Sequence, residues 1–203
     1  LHDALPISES YETLFVHTPG LKVVVPSTPY DAKGLLIAAI RDPDPVLFME
    51  PKRIYRAFRE LVPDGPYTVP LGSAKVVREG SDVTLISWGA MVRVCLEAAD
   101  GLEKEGVSAE VVDLRTLNPL DRETFIASVA KTGRAVVVHE APRTNGFGSE
   151  IVAQINEHAL LQLLAPVQRV AGFDTVFPLA KLEHHYLPNR ERIVKAVRAT
   201  LEF

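Results

Sequence analysis

The feature that most constrains the fold of this chain is an uninterrupted strand, helix and strand pattern over residues 17–56. Residues 21–25 form an apolar run typical of a buried strand, and residues 46–49 form a second one. The residues between them have helical spacing. If the two strands pair in parallel, their connection must be right-handed, so the pattern predicts an α/β unit.

The helix of this unit has clear start and stop signals. Thr28 is suited to cap its first turn, with Pro29 in that turn and Asp31 three residues after the cap. The sequence Asp-Pro-Asp-Pro at residues 42–45 stops the helix, because proline cannot continue it. An acidic turn is therefore predicted before the second strand.

Length and composition indicate a globular protein of between one and two domains. The chain has 203 residues, of which 47% are apolar and 24% charged. A net charge of -4 and a pI near 5.9 argue against a broad nucleic-acid surface. Nucleic acid is therefore not predicted as a partner. No apolar run approaches the ~18 residues that span a bilayer, so a membrane is not predicted as a partner either.

The cysteine content bears on the compartment. Cys95 is the only cysteine, so no disulfide can form within the chain. This favours a reducing compartment, either the cytoplasm or, in a eukaryote, the mitochondrial matrix.

The first residues differ from the rest of the chain. The sequence LHDALPI lacks a strand or helix period and matches one reading frame of a widely used sequencing-library adapter. We expect residues 1–7 not to be native, with a ragged but genuine N-terminus as the alternative. A non-native start would make the chain a fragment of a longer protein.

A second unit is predicted after a proline- and glycine-rich stretch at residues 64–72, which suits a linker between residues 8–63 and residues 73–203. Strands and helices alternate beyond it. This predicts an α/β fold with an open, mostly parallel sheet and helices on both faces. The predicted strands are residues 82–88, 109–114, 135–139 and 167–171. The predicted helices are one that ends at Gly106, one between Asp121 and Gly133, one over residues 149–164 and one from Asn189.

Three short motifs carry groups capable of chemistry. The glycine loop at residues 146–150 precedes a helix and could present N–H groups to a phosphate, but a tight turn is the favoured interpretation. His139 and Glu140 end a predicted strand, where open sheets place functional groups, yet without zinc-ligand spacing a structural hydrogen-bonding role is favoured. His184 and His185 likewise favour a surface or interface role over metal binding.

The acidic turn after the first helix offers better oxygen ligands. Free carbonyl groups at the helix C-terminus are followed at once by Asp42 and Asp44. Such a group of oxygens suits a hard cation. From the residues alone, a solvated acidic turn remains the favoured interpretation.

Several motifs together resemble a known family. Residues 8–56, with EGSDVTLISWGAMV, EVVDLRTLNPLD, KTGRAVVVHEAPRTNGFGSEI and RVAGFDTVFP, are similar to the beta subunit of the E1 component of 2-oxoacid dehydrogenase complexes. The resemblance covers about residues 8–203, with the motifs in family order. It implies the end of a transketolase-type pyrimidine-binding domain, followed by a complete transketolase C-terminal domain.

The resemblance also implies a cofactor and partners. Family members are α2β2 heterotetramers, in which thiamine diphosphate lies between an E1 alpha and a beta subunit, and a second beta subunit completes the assembly. They decarboxylate a 2-oxoacid and pass the acyl group to the lipoyl arm of an E2 acyltransferase core. Direct cofactor contacts are expected to lie largely outside this chain, which is expected to be inactive alone.

Site residues carried over from the family are few. The family's catalytic glutamate falls upstream of Leu1, and its substrate-binding histidine falls at Ile7, so no catalytic or cofactor-binding residue is assigned. A structural potassium ion in the family implies oxygen ligands at the Ala39 carbonyl, Asp42 and Asp44. The resemblance therefore favours an ion site over a solvated acidic turn at these residues.

The C-terminus is a second implied site. The family's C-terminal domain offers a docking surface for E2, and Glu202 and Phe203 combine an aromatic side chain with two carboxylates. A basic E2 docking domain could pair with them. A frayed tail is the alternative.

Substrate choice is the least determined property. EPKRIYR and GFDTVFP look more like the branched-chain members, whereas PSTPYDAKGLL and GAMV are shared with pyruvate members. We expect a branched-chain 2-oxoacid, with pyruvate as the alternative. Two further functions stay open, namely a noncatalytic module for assembly and E2 docking, and a deoxyxylulose phosphate synthase.

Overall fold

The computed structural model describes residues 10–203. Helices and strands alternate along this part of the chain. The helices are α1 (Glu12–Val16), α2 (Pro29–Arg41), α3 (Ala90–Glu103), α4 (Arg122–Thr132), α5 (Gly148–Ala159), α6 (Glu183–Tyr186) and α7 (Arg190–Leu201). The strands are β1 (Lys22–Val24), β2 (Val46–Phe48), β3 (Lys75–Arg78), β4 (Val83–Ser87), β5 (Ala109–Asp113), β6 (Thr116–Asn118), β7 (Ala135–Pro142) and β8 (Gln168–Gly172). Short 3-10 turns cover Lys52–Ile54, Leu160–Gln162 and Ala180–Leu182.

The larger sheet confirms the predicted α/β fold. Its order is β3-β5-β4-β7-β8, in which β5, β4, β7 and β8 run parallel. The edge strand β3 is antiparallel to β5 and was not predicted from the sequence. Its half-exposed pattern, with a charged residue at each end, lacks the continuous apolar character of the central strands.

Two hydrophobic layers cover the faces of this sheet. On one face, α3 and α7 pack through Cys95, Leu102 and Ile193, all fully buried. On the other, α4 and α5 pack through Phe125 and Ile155. Each fully buried side chain of this size contributes about 1.5–3 kcal/mol, so these layers supply most of the core's stability.

Local signals set the helix ends as predicted. The Thr28 hydroxyl accepts a hydrogen bond from the Asp31 amide at 3.1 Å, and Asp121 accepts one from the Thr124 amide at 3.1 Å. Gly133 closes α4 with φ of 69°. The predicted helix over residues 149–164 instead ends as an α-helix at Ala159 and continues as a 3-10 turn. None of the helices in the described residues is long and apolar enough to cross a membrane.

A smaller sheet joins the two predicted units. Its order is β2-β1-β6, with β1 parallel to β2 as the opening pattern requires. Strand β6 comes from the second unit and pairs antiparallel with β1. The Asn118 side-chain amide also donates to the Leu21 carbonyl at 2.7 Å. One sheet therefore crosses the boundary that the sequence pattern suggested.

The linker at residues 64–72 has neither helix nor strand, and it packs on α2. The Tyr67 ring stacks on Tyr30 with centroids 4.5 Å apart, and the Val69 amide donates to the Gly34 carbonyl at 3.1 Å. A Cβ at Gly34 would lie 2.6 Å from a Val69 methyl group, so glycine is required for this contact. The linker is therefore held against α2 by ring stacking and a main-chain hydrogen bond.

Candidate functional site

The candidate site is a cleft of about 820 Å³ between the two units. It lies at the carboxyl ends of β4 and β7, the edge at which open parallel sheets bind ligands. Residues following β1 and β2 form the opposite wall, and α1 lies beside it. The cleft lining includes Glu12, Arg53, Trp88, Glu140 and His184.

Trp88 and Glu12 form a buried bridge across the cleft wall. Trp88 follows β4 and is 5% exposed, while Glu12 begins α1 and is 4% exposed. The indole Nε1–H donates to Glu12 Oε1 at 3.2 Å. Burial raises the pKa of Glu12 to about 7, although hydrogen bonds from its own backbone amide and from Trp88 act in the other direction. Glu12 therefore changes its charge near neutral pH.

Glu140 is the second acidic group of the cleft. Burial raises its pKa, while the Arg53 guanidinium and a hydrogen bond with Ser10 lower it. Repulsion from Glu140 adds to the raised pKa of Glu12. The Glu140 carboxylate thus acts on the ionisation of Glu12.

His139 lies behind the indole in a packing role, whereas the sequence had favoured a structural hydrogen-bonding role. It is 1% exposed, and its ring is parallel to that of Trp88 with centroids 5.5 Å apart. Burial, aided by the Arg169 charge, lowers its pKa to about 4, so the ring is neutral at neutral pH. Neither ring nitrogen makes a well-formed hydrogen bond within residues 10–203.

The glycine loop before α5 packs against this histidine. A Cβ on Gly146 or Gly148 would lie 2.6 Å or 2.5 Å from a carbon of the His139 ring. The Ser149 and Glu150 amides donate to main-chain carbonyls of the same loop at 2.8 Å and 3.0 Å. This arrangement agrees with a tight turn and gives the glycines a packing role.

A second buried polar cluster joins the two units near the cleft. The Arg115 guanidinium donates to Asp31 at 2.6 Å, and the Ser27 hydroxyl is hydrogen-bonded to Asp113. The Arg115 amide also donates to Asp113 at 3.0 Å. Burial raises the pKa of Asp113 to about 7, against the effect of its hydrogen bonds from Ser27 and Arg115. This cluster contains charges that water does not screen.

The predicted ion turn has an internal cation. Lys22 Nζ lies 2.7 Å and 2.8 Å from the two carboxylate oxygens of Asp42, and 3.0 Å from Asp44. Hydrogen bonding with Lys22 lowers the pKa of Asp42. The Ala39 carbonyl accepts the Asp42 amide at 3.3 Å. Lys22 thus supplies one positive charge against two carboxylates and occupies both carboxylate oxygens of Asp42.

The remaining predicted groups are dispersed. His184 lines the cleft and His185 lies beside it, with ring centroids 3.8 Å apart. Within the described residues, no group of three or more His, Cys, Asp or Glu side chains could hold a metal ion. Phe203 is 81% exposed, and Glu202 is also exposed. Ile7 and the proposed non-native residues 1–7 lie outside the described part.

Sequence reasoning missed the bridge and the buried cluster. Glu12 and Trp88 are 76 residues apart, and Asp31 and Arg115 are 84 apart. The sequence feature that could have pointed to the bridge was Trp88, at the carboxyl end of a predicted strand. A lone acidic residue near the start of the chain carries no local sign that it is buried.

Comparison with known families matches both units. The transketolase C-terminal domain matches residues 72–193, and the transketolase pyrimidine-binding domain matches residues 7–57. A solved structure described as a split gene transketolase, inactive beta4 tetramer, superposes with a TM-score of 0.77 at 30% identity. That match covers 94% of this chain and 60% of the solved chain.

Curated relatives are similar to this chain over almost its whole length. The chain is 57% identical to the pyruvate dehydrogenase E1 component subunit beta of Bacillus subtilis (strain 168) over 196 residues. The subunits of the same name from Staphylococcus epidermidis and Staphylococcus aureus are 52% and 50% identical. Each match covers 97% of this chain and 60% of the relative, so the chain spans about 60% of the length of these relatives. Because the C-terminal domain match spans more than half of the sequence, the chain belongs to the family defined by the transketolase C-terminal domain, which is preceded here by a match to the transketolase pyrimidine-binding domain.

Proposed function

We propose that this chain is the C-terminal part of an E1 beta subunit that acts in the oxidative decarboxylation of pyruvate. The observation that carries the proposal is the 57% identity that extends over both units to a pyruvate dehydrogenase beta subunit. The sequence motifs had favoured a branched-chain 2-oxoacid, but the relatives named above support pyruvate, the alternative. Their bacterial origin supports a location in the cytoplasm.

The cofactor of this function is thiamine diphosphate, which supplies the group that attacks the 2-oxoacid carbonyl. The cleft does not fit its diphosphate end, because four glutamates line it against one lysine and one arginine. We therefore assign no residue of this cleft to the cofactor, and we propose that its contacts come from an E1 alpha subunit and from upstream beta residues. The described part contributes subunit assembly and support of the active-site segment.

Reconstitution tests this proposal. The coding sequence, extended to the length of the relatives, is co-expressed with an E1 alpha subunit, and thiamine-diphosphate-dependent oxidation of 2-oxoacids is measured with an artificial electron acceptor. We expect pyruvate to be preferred over 3-methyl-2-oxobutanoate by kcat/KM. The reverse preference would restore the branched-chain assignment. An assembled complex without activity on either acid would favour the noncatalytic module.

We further propose that Glu202 and Phe203 dock the E2 core. The support is their exposure at the end of α7, where an aromatic ring and carboxylates are free to meet a basic partner. Deleting both residues from the assembled E1 should weaken binding to the E2 docking domain about tenfold or more, as for an interface hot spot. Binding at unchanged affinity would contradict the assignment, and Glu97→Gln, at an exposed position of α3, is the control.

A potassium ion at the acidic turn is a separate proposal. The proposed ligands are the main-chain carbonyls of Ala39, Asp42 and Asp44, since Lys22 occupies both carboxylate oxygens of Asp42. We expect the assembled E1 to melt at a higher temperature in KCl than in choline chloride of equal concentration. This difference should persist in Asp42→Asn, which keeps the main-chain carbonyl. Equal melting temperatures in the two salts would exclude a potassium site.

A further inference from the structure

The stretch that follows β2 concentrates positive charge on the surface. Residues 52–59, which form the basic segment, contain four cationic side chains and no acidic one. The cationic residues are Lys52, Arg53, Arg56 and Arg59, and all four are exposed. The basic segment therefore stands out in a chain whose net charge is -4.

The two carboxylates that flank the basic segment in sequence have other partners. Glu50, just before it, accepts a hydrogen bond from the Tyr55 hydroxyl. Glu60, just after it, accepts a hydrogen bond from the Tyr30 amide at 3.0 Å. Both carboxylates thus face neutral donors rather than the cationic side chains between them.

Three of the four cationic side chains lack an ion pair. Arg53 lowers the pKa of Glu140 in the cleft, so its charge acts on that carboxyl group. Within residues 10–203, Lys52, Arg56 and Arg59 form no ion pair. Like charges on one short segment repel one another, and an anionic partner would offset this repulsion.

Contacts with α3 hold the backbone of the basic segment in place. Ile54 packs against the hydrophobic layer that α3 and α7 form on the larger sheet. Arg93 of α3 donates to the Ala57 carbonyl at 3.4 Å, and its guanidinium lies 5.3 Å from the centroid of the Phe58 ring. A surface that is already ordered loses less conformational entropy when it binds a partner.

The chemistry of the basic segment fits an acidic polypeptide. Guanidinium groups bind carboxylates through two parallel hydrogen bonds, and cations spread along a segment match several carboxylates better than one small anion. A nucleic acid or an anionic membrane would also meet the surrounding negative charge, including the four glutamates of the adjacent cleft. We propose that the basic segment is a docking site for an acidic stretch of a partner polypeptide.

Fluorescence anisotropy with a labelled oligoglutamate peptide tests the docking site on the 203-residue chain. We expect saturable binding at low salt, and the double variant Arg56→Gln, Arg59→Gln should weaken it about tenfold or more, as for an interface hot spot. The matched control is Lys104→Gln, Lys195→Gln, which removes two exposed charges from other surfaces and should weaken binding less than about twofold. Both double variants lower the net charge equally, so their difference isolates the position of the charge.

Two further probes test the class of partner. Labelled single-stranded DNA and vesicles that contain phosphatidylserine should both bind the chain more weakly than the oligoglutamate peptide does. Tighter binding of either probe that is lost in Arg56→Gln, Arg59→Gln would assign the segment to that partner and overturn the proposal. Absence of saturable peptide binding, or equal weakening in the two double variants, would overturn it as well. None of these measurements depends on catalytic activity, so they stand apart from the test of the proposed function.

Discussion

Arg115 shows how one residue joins the two units. Its φ of 57° is uncommon for a residue with a side chain. In this conformation its amide reaches Asp113 at 3.0 Å, its carbonyl accepts the Val25 amide at 2.8 Å, and its guanidinium reaches Asp31 at 2.6 Å. Strained backbone of this kind persists where the surrounding contacts require it. Here the required contacts come from both sides of the domain boundary.

Replacing Arg115 should therefore be severe. Arg115→Ala leaves the Asp31 carboxylate, 3% exposed, without its cation, and breaking a buried pair from one side costs about 3–5 kcal/mol. The matched control is Arg93→Ala, which removes an exposed pair with Glu97 and should cost about 0.3–0.5 kcal/mol. Urea unfolding followed by circular dichroism measures both. Similar losses for the two variants would show that the Asp31 contact contributes little.

Helix α5 and the loop before it show how an element is fitted to a neighbouring ring. Gly148 is the first residue of α5, and the His139 ring occupies the space where a Cβ would lie. The helix can approach β7 this closely because no side chain intervenes. The glycines that suggested a phosphate loop thus serve helix packing, and they secure the ring that supports Trp88.

Gly148→Ala tests this packing. The added methyl group would lie 2.5 Å from the His139 ring, and overpacking of this kind costs about 1–3 kcal/mol. Gly65→Ala is the control, because no atom lies within 4 Å of the position that its methyl group would take. Thermal unfolding of the single variants and of Gly148→Ala combined with His139→Ala gives the coupling energy. Simple additivity in this cycle would show that ring and helix are not in conflict.

The two units meet at an interface that contains buried polar groups, the polar joint. Strand β6 enters the sheet of the first unit, the linker packs on α2, and two buried carboxyl groups, Glu12 and Asp113, lie between the units. Their pKa values are both raised to about 7. A joint that contains two such groups makes the stability of the molecule depend on pH near neutrality.

The expected pH dependence has a definite sign. In the folded state Glu12 and Asp113 hold protons that they release on unfolding, so their contribution is full below their unfolded pKa values of 4.5 and 3.8 and is lost as pH rises through about 7. Stability should thus fall between about pH 4.5 and 7, by at most about 1.4 kcal/mol per pH unit for each proton, and should level off at higher pH. Urea unfolding across this range measures the slope. The double variant Glu12→Gln, Asp113→Asn should flatten it, and an unchanged slope would place the titrating groups elsewhere.

Much of this architecture could be predicted from local pattern. The caps at Thr28 and Asp121, the stop after α2 and the parallel strands of the larger sheet all follow from residues close in sequence, because capping and hydrophobic period are local properties. Family motifs added the domain types. Edge strand β3 was missed because a half-exposed strand lacks a strong apolar signal.

The site was decided by tertiary structure. Glu12 meets Trp88 across 76 positions, and Asp31 meets Arg115 across 84. A polar residue looks the same in sequence whether it is solvated or buried, and its pKa depends on neighbours that only the folded chain brings within a few ångströms. The chain's pattern thus specified which helices and strands form, whereas the approach of the two units created the cleft, its ionisable bridge and the charged joint behind it.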